Sequence, residues 1–529
     1  MDLSSFAGPF LPEILLLAGV LTVFLLDVVG VRRIELTGAV AVVVTALALL
    51  FVVADLGFAP FAFLATVPSG QVDSVTAGST PLYAFTSLGF IFQGIFLLAA
   101  FLVSLASMSR PSEERGAPIF YGLLLLATLG MLLVAIASDL IFLLLSIEVT
   151  SVSTYLLVAY TRKDVRALEA SMKFYIIGAL STTLSFFGAS LLFGAYGTTN
   201  LYAIRAVAGA VGYPVLVLLG YGFLISGLAF KATLVPFHAW AVDVYDGAPT
   251  DVTAFLTGAS KKVGLFAFFL VFLGPVLFLA PASGGSPFLG GTLDLGPIVQ
   301  ITLSVLAVVT MTVGNVLALL QKEMKRMLAY SSISQAGYML IGIAVGTSPA
   351  LAGATLQMFA HVFMKTGAFL TVAGVAALGI GPLIDDWKGL GSRRPFLGVA
   401  FGLMLLSLAG VPLTVGFVSK FVLFSAAVQA QGYFVWLAVA GLLNSALSVF
   451  YYARVLKVMF FDRAESAPLP AGAVVGGSGP PVLPVGGFGY ARATAIALIA
   501  VVIVAFGFYP QLVLGPIQSA AQHFIVSGA

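Results

Sequence analysis

No cysteine occurs in the 529 residues of this chain. Its absence excludes a disulfide framework, cysteine-ligated iron–sulfur clusters and thiolate zinc sites. Histidine is scarce as well: the three, His238, His361 and His523, argue against a histidine-rich metal site or a bis-histidine haem. Charge is the third scarcity. Only 9% of residues are Asp, Glu, Lys or Arg, where a soluble domain carries about a quarter. A soluble chain of this length would divide into domains joined by polar linkers, and no such linker precedes residue 462. The start, MDLSSF, lacks the basic region of a cleavable leader, so the first apolar segment is expected to stay as a membrane span. The net charge of +3 says less than the placement of the charges.

What is present is apolar: 60% of the residues, in long runs. About 20 apolar residues cross a bilayer as a helix. The runs predict spans near 10–30, 34–55, 82–107, 118–137, 139–160, 169–196, 213–240, 250–276, 298–320, 326–346, 350–378, 396–428, 433–461 and 491–516. The fold class read from them is an all-α polytopic membrane protein of about fourteen transmembrane helices. An even number places both termini on one side. Basic residues test that count, because Lys and Arg gather on cytoplasmic loops. Of the 24, all but seven fall on one side, from Arg32 and Arg33 to Arg463 and Arg492. The opposite side receives only Arg205, and six lysines sit at membrane depth: Lys173, Lys231, Lys261, Lys262, Lys365 and Lys420. Both termini are therefore expected outside, in a prokaryotic plasma membrane. Ala467–Gly489, rich in Pro and Gly, reads as a flexible cytoplasmic loop. The stretch 56–80 reads as an outer loop, and 198–210 as a short interfacial helix.

Two segments carry a Met–Lys pair among aromatic and small residues: SMKFYIIGAL at Lys173 and VFMKTGAFLTV at Lys365. Each is followed, after 58 and 55 residues, by a further lysine in a Pro-interrupted span, Lys231 and Lys420. So 118–276 and 298–461 read as five-helix repeats. An odd helix number makes consecutive copies inverted, a transporter device with broken helices near the midplane. The expected organisation is 1–117 for three leading helices, the two repeats, the loop 462–490, and 491–529 for the last helix and outer C-terminus.

Buried charge suggests the chemistry. Glu148 lies near the middle of its span, where an ionised carboxylate costs roughly 2.5–3.5 kcal/mol on insertion scales; protonation or pairing with a buried cation reduces that cost. Lys231 lies in FKATLVPFHAW, where Pro236 should break the helix and expose carbonyls able to hold water. Pro412 marks a second break ahead of Lys420. A lysine beside a movable glutamate is a switch, because its proton affinity follows the carboxylate. Lys262 reads as snorkelling to the interface, and Lys173 divides evenly between snorkelling and function. Glu13 and Asp27 read as interfacial, and Asp139 as a helix cap. His238 reads either as a relay or as a satisfied core histidine. His361 and Lys365, four apart, share a helix face and favour a relay.

These residues resemble the antiporter-like membrane subunits of respiratory complex I, the N type above all. The resemblance rests on FKATLVPFHAWAVDVYDGAPTDVTAFLTGASK (230–261), with DVRALEASMKFYIIGALST, KRMLAYSSISQAGYML and SLAGVPLTVGFVSKF in support. It implies that Glu148 and Lys231 form a modulating ion pair, that Lys261 is the central lysine, and that Lys420 exchanges protons with the outer side. His238, His361, Lys365 and Lys173 are carried as an auxiliary path, with Pro236 and Pro412 as the helix breaks. A lysine at 420 suits the N type. There are departures: Val242 stands before Asp243 and Asp251 stands at another position, both where the family commonly has proline, and the segment AHVFMK looks closer to the L and M types. The implied function is proton translocation in a redox-driven NADH:quinone oxidoreductase or a relative with another donor. The chain itself has no flavin fold, cluster ligands or dinucleotide fingerprint. Flavin, iron–sulfur clusters and quinone belong to partner membrane and peripheral subunits in that reading; no nucleic acid is involved. The rival readings are a subunit of a multisubunit Na⁺/H⁺ antiporter, which lacks redox chemistry, and a structural membrane subunit.

Overall fold

The computed structural model describes residues 8–57, 60–61, 64–67, 72, 80–110, 116–161, 164–207, 213–273, 287–288, 291–292, 295–462 and 489–527. In chain order the helices are α1 (Leu11–Val28), α2 (Ile34–Asp55), α3 (Ser87–Ser107), α4 (Ala117–Ala135), α5 (Leu140–Val158), α6 (Val165–Tyr196) and α7 (Leu201–Val207). Then follow α8 (Pro214–Ala232), α9 (Ala239–Gly247), α10 (Thr250–Leu273), α11 (Leu295–Leu319), α12 (Met324–Val345) and α13 (Ser348–Ala377). The last are α14 (Pro395–Ala409), α15 (Val415–Gln429), α16 (Phe434–Phe460), α17 (Tyr490–Phe508) and α18 (Gln511–Ser527). A two-residue hairpin pairs Pro287–Phe288 with Gly291–Thr292.

Thirteen stretches among the described residues are long and apolar enough to cross a membrane. The broken pair α14 and α15 supplies one more crossing, so the fourteen expected spans are present in an all-α polytopic membrane protein. Both expected helix breaks are present. α8 stops at Ala232, Thr233 adopts φ 59°, and α9 resumes at Ala239. α14 stops at Ala409, Gly410 adopts φ 88°, and α15 starts at Val415 with Thr414 as its cap. Asp139 caps α5 by accepting from the amides of Ile141 and Phe142.

The boundaries differ in two places. The span expected over 213–240 continues through α9 to Gly247, so the DVYDG segment is helical. The span expected over 491–516 ends at Phe508, because Pro510 has no amide with which to continue it; α18 then packs as a separate helix against α3 and α13. Its buried positions Leu514, Ile517, Ala521 and Phe524 follow helical spacing. The short helix expected within 198–210 is α7. The loop expected over 467–489, up to residue 488, and much of 56–80 lie outside the described residues. Glu13 is not interfacial. It is buried, with one carboxylate oxygen accepting from the Gln93 side chain on α3 at 2.7 Å and the other without a hydrogen-bond partner among the described residues. Asp27 is at the surface, paired with Arg32 at 2.7 Å.

The order of burial inverts that of a soluble protein. α10, α12 and α13 are the least apolar spans and the most enclosed, whereas strongly apolar α1, α2 and α17 turn much of their surface outward. With lipid as the solvent, apolar side chains gain nothing by leaving it, and polar ones must find partners inside. The Ser, Gln, His and Lys side chains of α12 and α13 thus define the centre of the molecule.

Candidate functional site

At the first break, Lys231 occupies the last turn of α8 and is buried. Its ammonium donates to the Ser151 hydroxyl on α5 at 2.9 Å. Glu148, one turn earlier on α5, accepts from the Thr182 hydroxyl on α6. The two charges share a cavity of about 20 Å³ lined by Glu148, Ser151, Ser181, Thr182 and Lys231, room enough for one water. Glu148 and Lys231 are therefore neighbours without a direct ion pair. Backbone strands of this corner are closed locally: Trp240 donates from its indole to the Phe230 carbonyl, and the Val235 amide donates to Thr310 on α11. Gly264 on α10 lets the broken end approach, since a Cβ there would come within 2.5 Å of the Ala232 nitrogen. His238 sits half-buried at the start of α9 with Nδ1 unpartnered.

The central section is built on α10. Two of its segments, Leu256–Ser260 and Phe269–Leu273, are wide π turns, a feature often found at functional sites. Lys261 and Lys262 follow the first of them. Lys261 turns to α12, donating to the Ser332 carbonyl at 2.8 Å and its hydroxyl at 2.9 Å. Lys262 turns to α13, with Nζ 2.8 Å from His361 Nδ1, and donates to the Thr257 carbonyl at 2.6 Å. The expected snorkelling of Lys262 is thus corrected: it is fully buried, and a partner inside the bundle removes the reason to reach for the interface. Lys365, also fully buried, donates to the Leu328 carbonyl at 2.9 Å and to Ser331 at 2.6 Å, and Ser331 in turn bonds Tyr452.

The second break holds Lys420. Its ammonium donates to the Leu408 carbonyl at 2.8 Å, the Ala409 carbonyl at 3.2 Å and Ser445 at 3.0 Å. Those carbonyls end α14, where the helix dipole favours a cation. The Tyr338 ring lies 5.0 Å away, within cation–π range. An amide bridge leads toward this site. Ser419 bonds the Gln357 side chain, Gln357 donates to Gln335 at 2.7 Å, and Gln335 donates to the same Leu408 carbonyl at 3.3 Å.

Lys173 lies apart from this row. It is partly exposed and ion-paired with Glu169 at 2.9 Å and Asp243 at 3.1 Å, as a charge near a helix end can be. Sequence reading missed Ser151, Ser331, Ser332, Gln335 and Gln357. One signal was available: Gln357, His361 and Lys365 are spaced by four and share one face of α13. The serines carried none, since isolated hydroxyls occur throughout the spans. Asp251, set where proline is common in the resembling family, is buried and paired with Arg110 at 3.0 Å and Arg492 at 3.4 Å, joining α10 to the ends of α3 and α17.

A family model described as NADH:quinone oxidoreductase/Mrp antiporter, TM, matches residues 137–448. F(420)H(2) dehydrogenase subunit N of Methanosarcina mazei is 39% identical over 438 residues, covering 80% of this chain and 81% of that protein. NADH-quinone oxidoreductase subunit N of Rhodospirillum rubrum is 36% identical over 533 residues, covering 99% and 98%. A chain of respiratory complex I from Thermus thermophilus with bound aureothin superposes with a TM-score of 0.71 at 29% identity, covering 95% of this chain and 98% of that one.

Proposed function

The chain belongs to the NADH:quinone oxidoreductase/Mrp antiporter transmembrane family, and from that premise we propose that it carries protons across the membrane as the N-type subunit of a redox-driven quinone oxidoreductase. The observation that carries this reading is one row of buried lysines, Lys231, Lys261, Lys365 and Lys420, each held by hydroxyls or carbonyls. Among the described residues none of the four pairs with a carboxylate. Hydroxyl and carbonyl partners satisfy an ammonium without fixing its charge, so each lysine stays responsive to charge next to it.

In this reading the drive arrives at the first break. Glu148 and Ser151 lie three apart on one face of α5, so a small swing moves the Lys231 ammonium from the hydroxyl to the carboxylate. Pairing holds the proton on Lys231; separation releases it toward Lys261. The charge change passes along Ser332 and the Gln357–Gln335 amide bridge to Lys420. There the α14 carbonyls take the part that Glu148 plays in the first half, which explains how the second half works without a carboxylate in α12. His238, His361 and Lys365 are side members of the path, and Lys173 is a surface ion pair beside it. The repeats 118–276 and 298–461 are the two inverted units, each with its break, flanked by 1–117, the loop 462–490 and 491–529. Both termini face outside a prokaryotic plasma membrane. Electron transfer, with its flavin, iron–sulfur clusters and quinone, is assigned to partner subunits.

Purification of the native assembly tests this. Co-purification of flavin- and cluster-bearing subunits, with donor oxidation driving proton uptake into vesicles, supports the redox reading. An assembly of membrane subunits alone that exchanges Na⁺ for H⁺ overturns it in favour of an antiporter. Normal proton yield with Glu148, Lys231, Lys261 and Lys420 all replaced would make the chain a scaffold.

A further inference from the structure

We propose that Lys262 and His361 form a proton-exchanging pair that links α10 to the polar face of α13, a branch of the path that runs beside Lys261 rather than through it. The inference rests on the proton-carrying reading above. Four observations lead to it. Both side chains are fully buried, at 0% exposure. Their nitrogens stand 2.8 Å apart, Nζ to Nδ1. Lys262 has a second acceptor in the Thr257 carbonyl, inside the π turn that precedes it. His361 Nε2 is buried with no partner in the described structure.

An amine and an imidazole that meet at this distance share one proton. In one state Lys262 is an ammonium, donating to Thr257 and to the Nδ1 lone pair, and His361 carries its proton on Nε2. Moving one proton from Nζ to Nδ1 breaks an N–H bond on lysine and forms one on the ring. The products are a neutral amine and an imidazolium with both nitrogens protonated. Release of the Nε2 proton to a water on the far side of the ring restores a neutral imidazole. One proton has then left Lys262 and one has joined the water. The reverse sequence loads Lys262.

The surroundings of His361 are basic: Lys262 faces it from α10 and Lys365 follows one turn along α13. Gln357 and Lys365 lie one turn either side of His361 on α13, and Gln357 opens the amide bridge that reaches the Leu408 carbonyl shared with Lys420. The adjacent lysines thus address two different helices: Lys261 serves α12 and Lys262 serves α13. Neighbouring residues of a helix point about 100° apart, which is enough to aim the two at different helices.

The test compares His361→Asn with His361→Leu in the assembled complex, scoring the initial rate of proton uptake into inverted vesicles per assembled complex. Asparagine keeps a hydrogen-bonding group near Nδ1 but takes up no proton. The pair predicts that both variants lose at least about tenfold in pumping, the scale of removing a positioned proton-transfer group or somewhat below it. Recovery by asparagine to the wild-type rate would leave the pair a mere tie between helices and overturn the proposal. A Lys231→Met control separates the two levels. Normal pumping in His361→Asn with impaired Lys231→Met removes the branch alone; normal pumping in both removes the larger reading as well. A second measurement uses the wild-type chain, so that folding of the variants is not decisive. Isotope-edited difference infrared spectra during turnover are assigned by the signal that disappears in His361→Asn. An imidazolium signal that is lost in Lys262→Gln supports the exchange, and a ring that stays neutral throughout turnover overturns it.

Discussion

Lys231 donates to Ser151 at 2.9 Å, although Glu148, its expected partner, stands one turn away on the same helix and lines the same cavity. On the proposed reading, the hydroxyl holds the lysine in the unpaired position of a two-position switch, with Thr182 bonded to the glutamate. A salt bridge at rest would leave no stroke for a charge arriving from outside the chain.

Lys231→Ala is expected to impair pumping strongly while the complex still assembles. Ser151→Ala removes the resting acceptor and biases Lys231 toward Glu148. Hydrogen bonds to charged groups contribute about 1.5–3 kcal/mol, so a loss of about tenfold in pumping is expected. Dye-quench assays on vesicles, with native gels as the assembly control, measure both. Wild-type pumping by an assembled Lys231→Ala complex would remove the switch.

Gly410 carries a different prediction. Its φ of 88° and its closeness to Lys420, whose Cδ would stand 3.1 Å from an added Cβ, both demand glycine. Gly410→Ala should cost about 1–2 kcal/mol from the left-handed backbone alone and displace the lysine from its carbonyls. Thermal unfolding in detergent reads the first effect and proton uptake the second. An unchanged melting temperature together with full pumping would show that the cradle tolerates the shift.

Asp251 bonds two arginines through one carboxylate oxygen. Asp251→Ala would leave Arg110 and Arg492 without that carboxylate in a buried site, and breaking a buried pair costs about 3–5 kcal/mol. The expected outcome is a sharp fall in the amount of folded chain recovered from membranes, seen by immunoblot. Recovery at the wild-type level would show that the aromatic faces of Phe120 and Tyr160, 4.7 and 5.0 Å from the Arg110 guanidinium, suffice for that side of the cluster.

Topology can be read directly because the chain has no cysteine. Single substitutions Ser4→Cys and Ser466→Cys create one label site each. An impermeant maleimide should reach the first only from outside intact cells and the second only after the inner face is opened. Labelling of Ser466→Cys in intact cells would reverse the orientation.

The sequence by itself determined the spans, the breaks at Pro236 and Pro412, and, Lys173 apart, which lysines lie buried among the spans, because bilayer thickness, a missing proline amide and the cost of buried charge act on local residues. It also carried the family resemblance, through the ordered segments around Lys231, Lys261 and Lys420. Only the tertiary structure decided what each charge touches. Adjacent lysines 261 and 262 point about 100° apart on their helix, and packing sets Ser332 before one and His361 before the other. Glu13 was legible as a carboxylate near a helix start, but its burial depends on Gln93, eighty residues away. The Lys231–Ser151 contact and the carbonyl cradle of Lys420 were equally hidden. Hydroxyls and main-chain carbonyls occur in every span, and only the packing of one helix against another decides which of them meets an ammonium.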